Sequence, residues 1–287
     1  MTAVGYATLV AAIALSAVPA PYVPTPVVLR TPPAPDAAAA VPRTPPGMAG
    51  CAHAMLPRAD LIRTVGETVR YWVQVNGISV GTVDFQVYKN GQFERAQVTE
   101  YRSQFKLDAL VASFIPVEGR AAALVPFGGR LAERAMMQFT STAVHFEENL
   151  TLDADGRTLS VKRKRNETTN EEKRRFATPV TDFVTAFYWA RSIDQDAKGC
   201  VLIYGNQRVY TVWVQPDGQE QVPTPVGARF ADRYRLRYAT EKSKQPIDAV
   251  FWLATDATRL PYRAEILGPN HVEATVHLFE PGRDGAN

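Results

Sequence analysis

From Val69 onward, apolar and polar side chains alternate one for one. Val69, Tyr71, Val73 and Val75 fall on one face, and Thr68, Arg70, Trp72 and Gln74 on the other. Successive side chains of a strand point to opposite faces, so this pattern marks a strand with one buried side. Asn76-Gly77 follows. Both residues accept positive φ, which predicts a tight hairpin turn. In the next run Val83, Phe85 and Val87 share one face, and Thr82, Asp84 and Gln86 share the other. Lys89-Asn90-Gly91-Gln92 predicts a second turn, and residues 93–101 a third strand.

The alternation returns at 143–152 and 158–164, on either side of the turn residues Asp153-Ala154-Asp155-Gly156. It recurs at 208–215, before a turn expected at Pro216-Asp217-Gly218. Tyr234, Leu236 and Tyr238 then interleave with Arg233, Arg235 and Arg237. Shorter runs at 250–254 and 262–267 precede Val272, Ala274, Val276 and Leu278. About a dozen strands with regular turns predict a mainly β protein, a large curved antiparallel sheet or open β-barrel. Two segments break the rhythm. Phe183, Ala186, Phe187 and Ala190 recur at helical spacing behind Thr181 or Asp182 as N-cap, predicting one central helix on the concave side. A second short helix is expected at 131–137, after Gly128-Gly129.

Composition changes this picture mainly at the N-terminus. The 287 residues are 46% hydrophobic and 21% charged, with net charge +3. That balance excludes a disordered chain, a collagen-like repeat and a polytopic membrane protein. Of 21 prolines, 11 lie between Pro19 and Pro57, and residues 1–29 carry no charge. The apolar run 7–20 is shorter than a bilayer span and reads as the core of a signal peptide. The expected organisation is a signal peptide at 1–20, a Pro/Ala-rich linker at 21–58, one β domain at 59–282 and a tail at 283–287. Such a linker is extended and semi-rigid. Met48-Ala49-Gly50-Cys51 resembles the end of a lipoprotein signal, but Pro-Arg-Thr-Pro-Pro stands where an apolar stretch is required. The reading is therefore an exported protein of the bacterial periplasm or envelope, soluble rather than lipid-anchored.

Cys51 and Cys200 are the only cysteines. In an exported chain an even count points to a disulfide, with two free buried thiols as the alternative. No further ligands cluster beside them for a metal.

Several segments resemble the exported bacterial family DUF3108. They are Gly66-Glu67-Thr68-Val69-Arg70-Tyr71, Asn76-Gly77-Ile78-Ser79-Val80-Gly81-Thr82, the helix from Asp182 to Arg191, Thr224-Pro225-Val226-Gly227, Trp252-Leu253-Ala254-Thr255-Asp256 and Arg259-Leu260-Pro261-Tyr262-Arg263. The resemblance runs from about Leu61 to Glu280. It implies an exported β-rich domain of no established activity. Its curved sheet would be similar to lipoprotein carriers of the LolA/LolB type and to β-spiral proteins, which enclose acyl chains behind a helical plug. The basic middle section and Phe127-Gly128-Gly129 depart from the family pattern.

No catalytic constellation holds together. The chain lacks a P-loop and His-Glu-x-x-His. His53, His145, His271 and His277 are spread out, and Glu147 and Glu148 point to opposite faces of one strand. No enzyme activity, metal or cofactor is expected. Residues 157–175 carry eight basic and three acidic side chains. Lys162, Arg163, Lys164, Arg165, Lys173, Arg174 and Arg175 are expected to form a basic surface on a solvated hairpin. That surface suits anionic headgroups or an acidic partner, and not nucleic acid, because no aromatics interleave it. The leading expectation is a non-catalytic envelope protein that binds an apolar or amphipathic ligand, a lipid or lipoprotein segment, or a partner chain in its concave sheet. Trp72, Phe187, Trp189, Trp213 and Trp252 are the candidate ligand contacts. A structural component of an envelope complex is the alternative, and an enzyme acting on envelope polymers is third.

Overall fold

A computed structural model describes residues 43–51, 61–114, 117–141, 144–241, 245–268 and 273–281. The expected signal peptide, most of the linker and the tail lie outside these residues. The chain forms β1 (Thr68–Val75), β2 (Ile78–Phe93), β3 (Ala96–Leu107), α1 (Ala109–Phe114), β4 (Val117–Pro126), β5 (Arg134–Ser141), β6 (His145–Leu152), β7 (Thr158–Arg165) and β8 (Thr168–Arg175). It continues through β9 (Val180–Asp182), α2 (Phe183–Ala190), β10 (Gly199–Gly205), β11 (Arg208–Thr224), β12 (Gly227–Thr240), β13 (Ile247–Ala254), β14 (Pro261–Leu267) and β15 (Glu273–Pro281).

All fifteen strands belong to one sheet, in the order β8-β7-β6-β5-β4-β3-β2-β1-β15-β14-β13-β12-β11-β10-β9. Two antiparallel meanders, β1–β8 and β10–β15, are joined where the first strand pairs with the last, Val73 opposite Val276. The short β9 runs parallel to β10. The edges of the sheet are β8 and β9, yet only four residues of chain separate them. Fifteen strands laid flat would put the edges about 67 Å apart, at ~4.8 Å per strand. The link from Arg175 to Val180 spans at most about 18 Å. The sheet must therefore coil until its edges approach, and it does so without closing.

Side chains bridge the resulting seam. The buried carboxylate of Glu148 (β6) accepts from Arg163 Nε at 2.8 Å, Tyr204 Oη at 2.8 Å and the backbone N of Gln207 at 3.3 Å. Arg163 Nη2 also donates to Tyr204 Oη at 2.9 Å. Arg174 of β8 pairs with Glu241 beyond β12.

The alternation seen in the sequence places Val69, Tyr71, Val73, Val83, Phe85 and Val87 in one continuous core on the concave face. Two small apolar clusters lie on the opposite face: Val222, Ala231 and Trp252, and Cys200, Trp213 and Ala239. Met48 and Cys51 pack on the latter, and Cys51 and Cys200 are disulfide-bonded. Arg237 Nη1 donates to Pro46 O at 3.3 Å, so the end of the linker lies along the outside of β10–β12.

Three expectations are corrected here, and one helix was not expected. Residues 131–137 are not a helix. Ala135, Met137 and Phe139 alternate into the core as β5, between β4 and β6. Asn90-Gly91 is not a turn. β2 bulges between Val87 and Lys89 and runs on to Phe93, and the chain reverses at Glu94, which takes the positive φ of 51°. Pro216-Asp217-Gly218 is likewise a bulge inside β11, and the reversal comes later, at Pro225-Val226. Asn90-Gly91 pairs in regular register just beyond its bulge, and Pro216-Asp217-Gly218 is absorbed into one, in each case because the neighbouring strand continues past it. The helix α1 was not signalled by apolar spacing.

Candidate functional site: an apolar pocket beneath α2

The Asp182 backbone is extended, and its carboxylate accepts from the N–H groups of Val184 at 2.9 Å and Thr185 at 3.0 Å. It thereby satisfies two amides that the first turn of a helix leaves orphaned. Burial raises the pKa of this carboxyl. At the other end Arg191, almost wholly buried, grips Glu67 with two nitrogens at 2.5 and 3.1 Å and donates to Thr258 O. Gly205 of β10 admits the ring of Phe183, since a Cβ there would lie 1.8 Å from it. Phe187 stacks on Phe85 with ring centroids 3.8 Å apart, and Tyr71 meets both edge-on. Tyr188 packs on Tyr101, whose phenol is pushed up to about 12 by burial. Thus both ends of α2 are fixed and its aromatic face lies against β2 and β3.

On its other flank α2 does not fill the curved sheet. A pocket of about 130 Å³ remains, bounded by Phe183, Ala186, Phe187, Trp189, Ala190 and Ile193 on the helix side. The sheet contributes Val201, Ile203, Val212, Val214, Leu236, Phe251, Ala264, Ile266 and Val276. Arg263 is the only ionisable residue other than Tyr71 among those lining it. The hydrogen-bonding atoms of Tyr71 and Trp189 are buried and unpaired. What the walls present is hydrocarbon and ring surface.

The loops that follow α2 and β13 are braced. Asp232 receives Gln195 and Gln219 at 2.7 Å each and pairs with Arg259, which also donates to Tyr234 Oη at 3.0 Å. Burial works to raise the pKa of Asp232, but these hydrogen bonds outweigh it and hold the carboxyl below its usual range. Residues of the resembling segments, Glu67, Asp182, Arg191 and Arg259, thus serve to hold α2 and the loops around it.

Of the five candidate contacts, Phe187 and Trp189 line the pocket. Trp72, Trp213 and Trp252 do not, and each stands one residue out of phase with the core-facing set. Trp72 lies between Tyr71 and Val73 and is 45% exposed on the outer face. Trp213 lies between Val212 and Val214, buried under the disulfide. Trp252 lies between Phe251 and Leu253. Its Nε1 donates to Glu220 at 2.5 Å, with the guanidinium groups of Arg233 and Arg263 at 6.0 and 5.5 Å from its ring. Tyr71, Phe85 and the aliphatic wall were missed as contacts, although the period-2 pattern already assigned them to the core face.

The basic hairpin divides by face. Lys162, Lys164, Lys173 and Arg175 are exposed on the outside, with Lys162 paired to Glu171 at 3.3 Å. Arg163 and Arg174 are not surface cations. They point to the concave side, each with less than a fifth of its side chain exposed, and pair with Glu148 and Glu172 on neighbouring strands and, across the seam, with Glu241. The coiling of the sheet brings Glu241 over Arg174. Arg165 is half-buried. Glu147 and Glu148 do face opposite ways. A shallow polar groove crosses the outside of β2–β5, and its Asp84 and Glu100 are paired with Arg70 and Arg102. Among the described residues no three His, Cys, Asp or Glu side chains are grouped for a metal ion, and no helix is long and apolar enough to cross a membrane.

Residues 69–272 match the protein family described as "Protein of unknown function (DUF3108)". Solved structures are similar at low identity. One is a β-barrel-like protein of domain of unknown function DUF1849 from Brucella abortus, at 11% identity and TM-score 0.47, over 76% of this chain and 98% of that one. Another is a putative exported protein with YmcC-like fold from Bacteroides fragilis, at 11% identity and TM-score 0.34, over 76% and 96%. The hypothetical lipoprotein YmcC from Escherichia coli matches at 8% identity and TM-score 0.29, over 78% and 92%. No curated protein matches.

Proposed function

The chain belongs to the DUF3108 family of proteins of unknown function, and from that premise we propose a non-catalytic envelope protein that receives an apolar group in the pocket beneath α2. The observation that carries this reading is the pocket itself, a space of about 130 Å³ walled by hydrocarbon. Engineered apolar cavities of ~150 Å³ stay dry and bind benzene. Pockets for drug-sized ligands run to roughly 300–1,000 Å³. The space therefore suits one ring, or the last few carbons of a chain, with the polar part of the ligand outside. A whole acyl chain would require α2 to move, and the anchors at Asp182 and Arg191 oppose that. Export is supported by the uncharged first 29 residues, and an oxidising compartment by the Cys51–Cys200 disulfide. In the mature protein the Pro/Ala linker would follow a signal peptide removed near residue 20.

The test is a thermal-shift series with straight-chain alcohols and alkyl glucosides, on the native protein and on Ala264→Leu, which fills the pocket from β14. The expected result is a rise in Tm that grows with chain length up to a limit in the native protein and vanishes in the filled one. An equal rise in both, or none in either, contradicts the reading.

A further inference from the structure

We propose that the tip of the β11–β12 hairpin is a membrane-contact element that dips into the interface of an anionic bilayer. This shares with the proposed function only the envelope location, and does not depend on the pocket.

The hairpin outruns its neighbours. β10 pairs with β11 only as far as Val214, and β13 pairs with β12 only from Ala231. From Gln221–Phe230 to Thr224–Gly227 the two strands pair solely with each other. Four residues at ~3.4 Å each carry the tip about 13 Å past the last shared rung.

The root is clamped. Val222 is buried against Ala231 and Trp252. Glu220 is held by Trp252 Nε1, and Gln219 by Asp232. The projection is consequently a rigid spur, and little ordering cost attends its use.

Its chemistry is that of an interfacial element. Pro223, Pro225, Val226, Ala228 and Phe230 are exposed, with Phe230 at 63% and Val226 at 60%. An apolar tip gains free energy by leaving water for the acyl boundary. The usual obstacle is unsatisfied backbone polar groups in a low-dielectric layer. Here the turn satisfies its own. Thr224 Oγ1 donates to Gly227 O at 2.6 Å and accepts from Val226 N at 3.3 Å, while Pro223 and Pro225 have no N–H to satisfy. The charge fits one kind of surface. Between Gln221 and Ala231 the sole ionised group is the exposed Arg229. The flanking acids Glu220 and Asp232 are already engaged by Trp252, Arg233 and Arg259. The tip thus offers apolar side chains and one exposed positive charge, complementary to anionic headgroups. On the β11 edge a protein partner adding a strand would instead need open N–H groups, which the prolines remove.

The experiment is co-sedimentation of the oxidised full chain with phosphatidylglycerol–phosphatidylethanolamine vesicles and with phosphatidylcholine vesicles. Native protein is expected to sediment with the first and less with the second. The double substitution Val226→Ser/Phe230→Ser is expected to weaken binding at least tenfold with an unchanged melting curve. Lys164→Glu/Lys173→Glu on the basic hairpin is expected to change it less than twofold. A second reading uses Phe230→Trp and lipids brominated on the acyl chain, which should quench the new tryptophan. The proposal is overturned if the native protein stays in the supernatant, if the tip variant binds as well as the native protein, if only the basic-hairpin variant loses binding, or if brominated lipid does not quench Trp at 230.

Discussion

Glu148 is the residue on which most depends. It is fully buried, and its carboxylate gathers a guanidinium, a phenol and an amide from two sides of the seam. Removing one partner of such a group leaves a buried charge without compensation, which costs about 3 kcal/mol or more. Glu148→Ala is therefore expected to lower the unfolding free energy measured in urea by about that much, whereas Glu147→Ala on the opposite face should be close to neutral. His277 offers a second test at this scale. It is half-buried and registers against Arg263 across β14–β15, and burial followed by that guanidinium lowers its pKa below 6.5. The unfolded chain then takes up a proton that the folded one resists, so stability rises with pH through this window and falls as the pH drops below about 6.5. His277→Gln should flatten that slope in denaturant titrations at pH 5–7. An equal slope in both proteins would exclude His277 as its source. These two roles differ in how far the sequence shows them. Alternation put Glu147 and Glu148 on opposite faces, and the β6–β7 hairpin sets Arg163 opposite Glu148, but Tyr204 and Gln207 come from the far end of the sheet, and only its coiling brings them to that carboxylate.

At the scale of elements, α2 is the part best specified locally. Its apolar spacing, its Asp182 cap and its closing Arg191 are all visible in the chain, and the helix stands where they predict. Asp182→Ala should cost about 1 kcal/mol through loss of the cap, while Asp182→Asn, which can still accept from the amides of Val184 and Thr185, should cost less. Equal losses would argue that burial of the carboxyl, rather than capping, governs this site. Strands were legible where one face is buried and the other wet, as in β1 and β6. Turns were legible where no neighbouring strand outran them. Asn76-Gly77 is a true reversal, with φ of 50° and 76°. Asn90-Gly91 has the same composition and lies inside β2, because β3 continues beside it. Local turn chemistry therefore reports a permitted reversal, and the partner strand decides whether it is used. The three displaced tryptophans teach the same lesson in reverse. Ring size suggested a binding role, but the phase of the alternation put them outside, and the phase was the better guide.

Over the whole molecule, one continuous coiled sheet holds α2 on its concave side, and its two edges are held together by four residues of chain and a set of side-chain contacts. The disulfide adds a clip from residue 51 to residue 200 across the outside of that sheet, over a sequence separation of 149 residues. Loop-closure entropy assigns such a link about 5 kcal/mol as an upper figure. Cys51→Ser/Cys200→Ser is expected to lower Tm clearly while leaving the β circular dichroism signal intact at 25 °C, since the concave core does not depend on the clip. Class, curvature and α2 were readable because they follow from repetition along the chain. The pocket was not, because its size depends on how closely α2 packs into a curve that no local pattern sets. The central claim concerns that space, and methyl resonances measure it most directly. On titration with n-hexanol, the methyl groups of Val201, Ile203, Val212, Val214, Ile266 and Val276 should shift together and saturate, and the same titration of Ala264→Leu should leave them unmoved. Shifts confined to the exposed Ile78, Leu110 and Val226, with the pocket methyls still, would contradict the account.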